Sequence, residues 1–133
     1  MQPPSQVPSG AERVCTVLHG ALPQRLDGRP SVTVSPRSPY TAAWGGPPLV
    51  LRCGVAKPAG LRATSEVIDI DGVEWFLVQT DDAYVFTTVG RVAYVEARVP
   101  SSVPREEATA PLVDLARPVI QSVPTTADAL EGP

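Results

Sequence analysis

The sequence predicts an α+β domain: an N-terminal helix, an antiparallel β-meander sheet, a C-terminal helix and one disulfide. Three observations carry that prediction. Residues 14–22 place apolar side chains at helical spacing, residues 66–99 alternate apolar and polar side chains around an Asp-Gly turn, and the chain holds two cysteines, Cys15 and Cys53.

The first helix is signalled at its start. Ser9 and Glu12 have capping-box spacing, and Val14, Val17, Leu18, Ala21 and Leu22 then fall on one face. Cys15 lies on the flank of that stripe and His19 on the opposite, exposed side. Pro23 ends or kinks the helix, because its ring clashes with the preceding turn and it has no N–H. Leu26-Asp27-Gly28 closes the segment, with Gly28 free to adopt positive φ.

Residues 29–47 read as extended and proline-rich. Ser31-Val-Thr-Val-Ser35 alternates and fits a short edge strand; Pro36 and Pro39 forbid a central one. Leu49 to Cys53 reads as a buried strand that Gly54 and Pro58 terminate. Residues 66–70 and 73–78 flank Asp71-Gly72 and form a hairpin, since Asp-Gly supplies the positive φ angles of a type I′ turn. Residues 83–89 and 91–99 give two further strands. In the last, Ala93, Val95, Ala97 and Val99 face one way and Tyr94, Glu96 and Arg98 the other. Leu112, Leu115, Ala116, Val119 and Val123 suggest a C-terminal helix with Pro111 in its first turn and a kink at Pro118.

Length and composition bound the organisation. The chain has 133 residues, 43% of them hydrophobic, and fits one domain with a real core. Sixteen prolines mark the boundaries: residues 1–8 as a flexible linker left after an anchor, 9–123 as a single extracytoplasmic domain, and 124–133 as a flexible tail. The net charge of −3 argues against nucleic acid as a partner, since no basic patch is present to neutralise phosphates. Ten of the eleven basic residues are Arg and Lys57 is the only Lys, a bias of the coding sequence and not ten functional guanidiniums. No apolar run is long enough to span a membrane and no signal peptide is visible, so membrane association is expected only through an N-terminal anchor preceding the linker.

Two cysteines allow one bridge or two buried thiols. The proline-rich start suggests export, and an exported chain favours the Cys15–Cys53 bridge. With one His and two distant Cys there is no metal-ligand spacing, and no metal or cofactor is expected.

Further along, Cys15-x-x-Leu18, Leu22-Pro23, the run from Ala43-Trp44-Gly45-Gly46-Pro47-Pro48 through Arg52-Cys53-Gly54-Val55, the Asp71–Phe76 segment and Arg91–Glu96 together resemble an actinobacterial family, domain of unknown function 3515. The run around Trp44 to Gly54 is its most specific part. The resemblance spans residues 15–120 and implies a secreted or membrane-anchored envelope protein. It carries over no catalytic or binding residue.

The candidate chemistry is therefore argued from the residues alone. Trp44-Gly45-Gly46-Pro47-Pro48 sets an aromatic beside flexible and rigid backbone, which suits a ligand rim or a partner-docking loop; the competing role is to close the core edge. Arg52, on a strand expected to be buried, needs an acidic partner or an anionic ligand. Asp69, Asp71, Glu74, Asp81 and Asp82 gather at the hairpin, where paired carboxylates can hydrolyse glycosides, although turn chemistry and alternation already account for them. Tyr84 and Phe86 share a strand face, for a partner or for sheet packing. With no catalytic constellation, the expectation is a non-catalytic module that binds an envelope protein. A binding domain for a cell-wall glycan or small envelope ligand, in a pocket lined by Trp44, Trp75 or Tyr94, is the alternative. A carboxylate-dependent hydrolase comes last.

Overall fold

The computed structural model describes residues 11–34, 38–62 and 64–126. The expected linker over residues 1–8 and the capping residue Ser9 lie outside them. Helix α1 (Ala11–Ala21) leads into eight strands, β1 (Arg25–Leu26), β2 (Arg29–Val32), β3 (Thr41–Trp44), β4 (Leu49–Val55), β5 (Ile68–Ile70), β6 (Val73–Gln79), β7 (Ala83–Thr88) and β8 (Tyr94–Pro100). A short 3-10 turn at Arg105–Glu107 then precedes helix α2 (Ala110–Ser122). The strands form one antiparallel sheet in the order β1-β2-β3-β4-β8-β7-β6-β5. Every strand pairs with its neighbour in sequence except β4 with β5; the last strand, β8, instead inserts beside β4.

Strand alternation separates the sheet into two faces. Ala42, Leu51, Ala97, Phe86 and Leu77 stand opposite one another across five strands and point to the helices. On that side Leu49, Cys53, Trp75, Val95 and Val99 join Leu18, Leu112, Leu115 and Val119 in a single buried core. The core lies between the sheet and the two helices, which also pack on each other. The Cys15–Cys53 disulfide, with Cα atoms 5.6 Å apart, pins α1 to β4.

That bridge also sets the buried face of α1. Ala11, Cys15 and Leu18 are buried, while Val17 is 53% exposed. The expected stripe of Val14, Val17, Leu18, Ala21 and Leu22 is thus rotated, because the helix turns Cys15 toward the sheet and leaves Val17 and Ala21 outside. In α2 the expected apolar residues are buried, and the helix runs on through Pro118. Burial of Leu112, Leu115, Ala116 and Val119 outweighs the one hydrogen bond a proline forfeits.

Two Asp-Gly pairs turn the chain. Asp71 and Gly72 have φ of 52° and 94° and join β5 to β6, as the hairpin signal required. Asp27 and Gly28, with φ of 49° and 79°, do the same between β1 and β2. The latter pair was expected to close a helical segment; it makes a second, very short hairpin. At the other end, Pro124–Thr126 falls within the segment expected as a tail. It is tied back to the sheet: Val92 N–H donates to the Pro124 carbonyl at 3.0 Å and Thr126 N–H to that of Gly90 at 2.9 Å.

Candidate functional site

The six candidate binding residues do not form one cluster. Trp44 ends β3 and is 1% exposed, on the helix-facing side of the sheet. Its indole N–H donates to the Pro23 carbonyl at 3.0 Å, fastening the segment after α1 onto β3. Gly45 follows with φ of 80°, and its N–H donates to the Pro30 carbonyl at 2.9 Å. A Cβ at Gly45 would fall 2.9 Å from the Arg29 Cδ, so the bare backbone lets the Arg29 stem lie across it. Gly46, Pro47 and Pro48, with a cis Gly46–Pro47 bond, complete the exposed β3–β4 loop. The tryptophan therefore closes the core edge, and only the glycine and prolines are outside.

Arg52 is on the opposite face of the sheet, the one that carries no described helix. There Thr41, Arg52, Glu96, Thr87 and Phe76 form a cross-strand row beside a second row of Ala43, Val50, Arg98, Val85 and Val78. Arg52 Nη1 reaches Glu96 Oε1 at 3.4 Å, the acidic partner that its position demands. Two polar atoms of this row remain buried without a partner, Arg52 Nε and Thr41 Oγ1. A third such atom, Trp75 Nε1, lies in the core.

The other candidates separate by burial. Tyr84 and Phe86 face the helices and are buried, so their shared face is sheet packing. Asp69, Asp71, Glu74, Asp81 and Asp82 are exposed. Asp69 Oδ1 accepts the Gly72 N–H at 3.1 Å and so serves the turn, while Glu74 sits directly across from it. Among the described residues no group of three potential ligands is placed to hold a metal ion, and no helix is long and apolar enough to cross a membrane.

A cavity of about 580 Å³ opens beside Trp44, where β2 stops short. Strand β2 pairs with β3 only at Ser31–Trp44 and Val32–Ala43. Beyond Val32 the chain leaves the ladder, and among the described residues no strand pairs with Thr41 and Ala42 on that side. Leu22 and Pro23 from the end of α1, Val32 and Val34 from β2 and its continuation, Pro39, and Ala42 supply the apolar wall. Gln24, Ser31, Thr33, Ser38 and Thr41 add polar groups, and His19 completes the described lining. The volume lies within the ~300–1,000 Å³ typical of small-molecule sites, and the mixed lining is also usual for them.

Sequence reasoning found Trp44 but not the rest of this wall. Thr41, Ala42, Val32 and Val34 sit in the stretch read as extended and proline-rich. The proline spacing did give a short edge strand from Ser31, but nothing in it marked the unpaired side of Thr41 and Ala42 as a cavity wall.

Together these features define a disulfide-bridged α+β domain with helices on one sheet face and a cavity at one sheet edge. The chain belongs to the family described as Protein of unknown function (DUF3515), whose model matches residues 2–127. No curated protein and no solved structure matches it significantly.

Proposed function

We propose that this protein is an exported, non-catalytic binding domain of the cell envelope, and that it holds a small envelope ligand in the cavity beside Trp44. The observation that carries the reading is the cavity itself: concave, set beside Trp44, and with no Asp, Glu, Lys or Arg among its described lining residues. The paired cysteines support export, because such bridges persist in oxidising compartments outside the cytoplasm. The hairpin carboxylates are exposed and none of them lines the cavity, which favours binding over catalysis.

Docking onto another envelope protein is the second reading. It is favoured by the helix-free sheet face, where Val50, Val85 and Phe76 are half-buried and Val78 is 39% exposed. It no longer draws on Trp44, whose ring is covered.

The test is recovery of the protein from its own cell envelope under mild conditions, followed by native mass spectrometry. The expected result is a small-molecule adduct on the native form that is lost in Ser31→Trp, a substitution that fills the cavity from an exposed lining position. A bare native protein, or an adduct that survives Ser31→Trp, would remove the ligand reading. Co-recovery of one protein, lost in Val78→Asp but kept in Ser31→Trp, would establish the second.

A further inference from the structure

We propose that one row of the helix-free sheet face, Ala43, Val50, Arg98, Val85 and Val78, docks a short segment of a partner protein in which apolar side chains flank one carboxylate, and that Arg98 receives the carboxylate. This deepens the second reading above, docking on that face, and rests on it; it is independent of the cavity.

The five residues stand opposite one another across β3, β4, β8, β7 and β6, so they point to one side of the sheet. Arg98 is at the centre and is the only charged member. Val50 and Val85 flank it, half-buried, and Val78 at the end of the row is 39% exposed. Pro100, two residues further along β8, and Ala83 opposite it continue the apolar surface on the same side. Arg98 is itself half-buried, yet among the described residues no carboxylate lies within ion-pair distance of it and no hydrogen bond engages its side chain. Its nitrogens are not among the buried atoms without a partner, so the guanidinium is open to solvent and within reach of an incoming group.

The neighbouring row shows what such a position asks for. Arg52, diagonal to Arg98 across β4 and β8, has Glu96 as its acidic partner at 3.4 Å. Arg98 has none. A guanidinium standing among valines is best matched by a carboxylate, whose two oxygens fit its fork of donors, and here a partner must bring it. Strands about 4.8 Å apart make the row roughly 19 Å long, the span of about six residues of extended chain. A segment of that length lays apolar side chains over Val50, Val85 and Val78 and its carboxylate over the centre. A second copy fits less well. Among the described residues the two rows carry Arg52, Arg98 and Glu96, so two such faces together would hold more guanidiniums than carboxylates. A membrane is also a poorer match, because anionic lipid surfaces are held by clusters of basic residues and this row offers a single unpaired one.

The experiment is a nitrogen-15 NMR titration of the full chain with three capped peptides that share one valine-rich sequence and differ only in a central glutamate, glutamine or lysine. The glutamate peptide is expected to shift the amides of Val50, Val78, Val85 and Arg98, and to bind about 5-fold more tightly than the glutamine peptide, as for one partly exposed charge-assisted pair. Arg98→Gln should abolish that preference and leave the affinity of the glutamine peptide unchanged. Arg98→Glu should reverse it in favour of the lysine peptide. Glutamate and glutamine peptides that bind alike, or a preference that survives Arg98→Gln, would overturn the role of Arg98 and leave the face standing as a docking surface. If no peptide shifts these amides, the docking reading of the face falls with it. Two further results would replace the partner segment by another occupant: self-association abolished by Val78→Asp would make it a second copy, and flotation with phosphatidylglycerol vesicles lost in Arg98→Gln would make it a membrane.

Discussion

The two ends of the sheet are turned by the same dipeptide and finish very differently. At one end Asp71-Gly72 joins β5 to β6, and β6 continues into a five-residue register with β7, with α2 packed against both β5 and β6. At the other end Asp27-Gly28 joins β1 to β2, but β1 has two residues and β2 gives β3 only two pairing partners. Identical turn chemistry thus yields a sealed corner in one place and a cavity in the other. The difference lies in the flanks. Around Asp71-Gly72 apolar residues alternate along both strands, whereas around Asp27-Gly28 only Arg25–Pro30 and Leu26–Arg29 pair, and of these Leu26 alone is buried. A hole at a sheet edge therefore comes from strands that stop early, not from a defective turn.

The most forceful way to break the comparison is to cut the tie that holds α1 over the cavity end. Removing the bridge in a Cys15→Ala, Cys53→Ala double variant should lower the unfolding free energy by about 4 kcal/mol on the chain-entropy account, read from denaturant titration. The loss should also be uneven. Leu22 and His19, at the end of α1, line the cavity, so amide protection should fall more over residues 22–34 and 41–44 than over 73–79. A uniform loss of protection would mean that the two ends share one support after all.

The tryptophans sharpen the contrast on a smaller scale. Trp44 and Trp75 are equally buried, 1% and 0% exposed, but only Trp44 has a partner for its N–H. Replacing either by Phe removes similar volume, so the packing cost largely cancels between the two variants. Trp44→Phe should then be the more destabilising by about 1 kcal/mol, because it also strands the Pro23 carbonyl. Thermal unfolding of the pair measures that difference. Equal losses would show that the indole hydrogen bond does nothing to close the cavity edge.

How far each end could be read in the sequence follows from the same physics. The hairpin end was legible because two signals agree there, Asp-Gly at the turn and period-2 alternation on either side. The helix-facing residues of β8 were legible for the second reason alone. The Cys15–Cys53 pairing was legible in part: two cysteines admit one intramolecular bridge or two buried thiols, and the proline-rich start tipped the reading to the bridge that forms. At the cavity end the signals conflict. Asp27-Gly28 follows a helix and invites a helix-stop reading; the short edge strand expected from Ser31 overlaps β2 but starts two residues late, and β3 (Thr41–Trp44) lies in the stretch read only as extended. Cavities are also properties of what fails to pack, and no residue pattern records an absence; Thr41 looks like any strand threonine until its missing partner is seen in three dimensions. The face of α1 was misjudged by one step because the disulfide, a tertiary constraint, turned Cys15 inward at the expense of Val17.

The smallest effect is the most direct check on the claim that the turns themselves are equivalent. Gly28 and Gly72 both hold positive φ, at 79° and 94°. An added Cβ would meet nothing within 4 Å at Gly28 and would touch Ile120 Cδ1 at 3.5 Å, an ordinary contact, at Gly72. Neither site carries a steric clash, so Gly→Ala isolates the backbone strain, roughly 1 kcal/mol in each case. Gly28→Ala and Gly72→Ala should therefore shift the unfolding midpoint by similar amounts. Their local consequences should diverge: only Gly28→Ala should weaken binding of the small-molecule ligand proposed for the cavity, because only that turn leads into β2, whose Ser31 and Val32 line it. If Gly72→Ala proved far more costly than Gly28→Ala, the β1–β2 hairpin would be carrying little of the fold. The cavity wall would then depend on α1 and β3 in place of the short strands beside them.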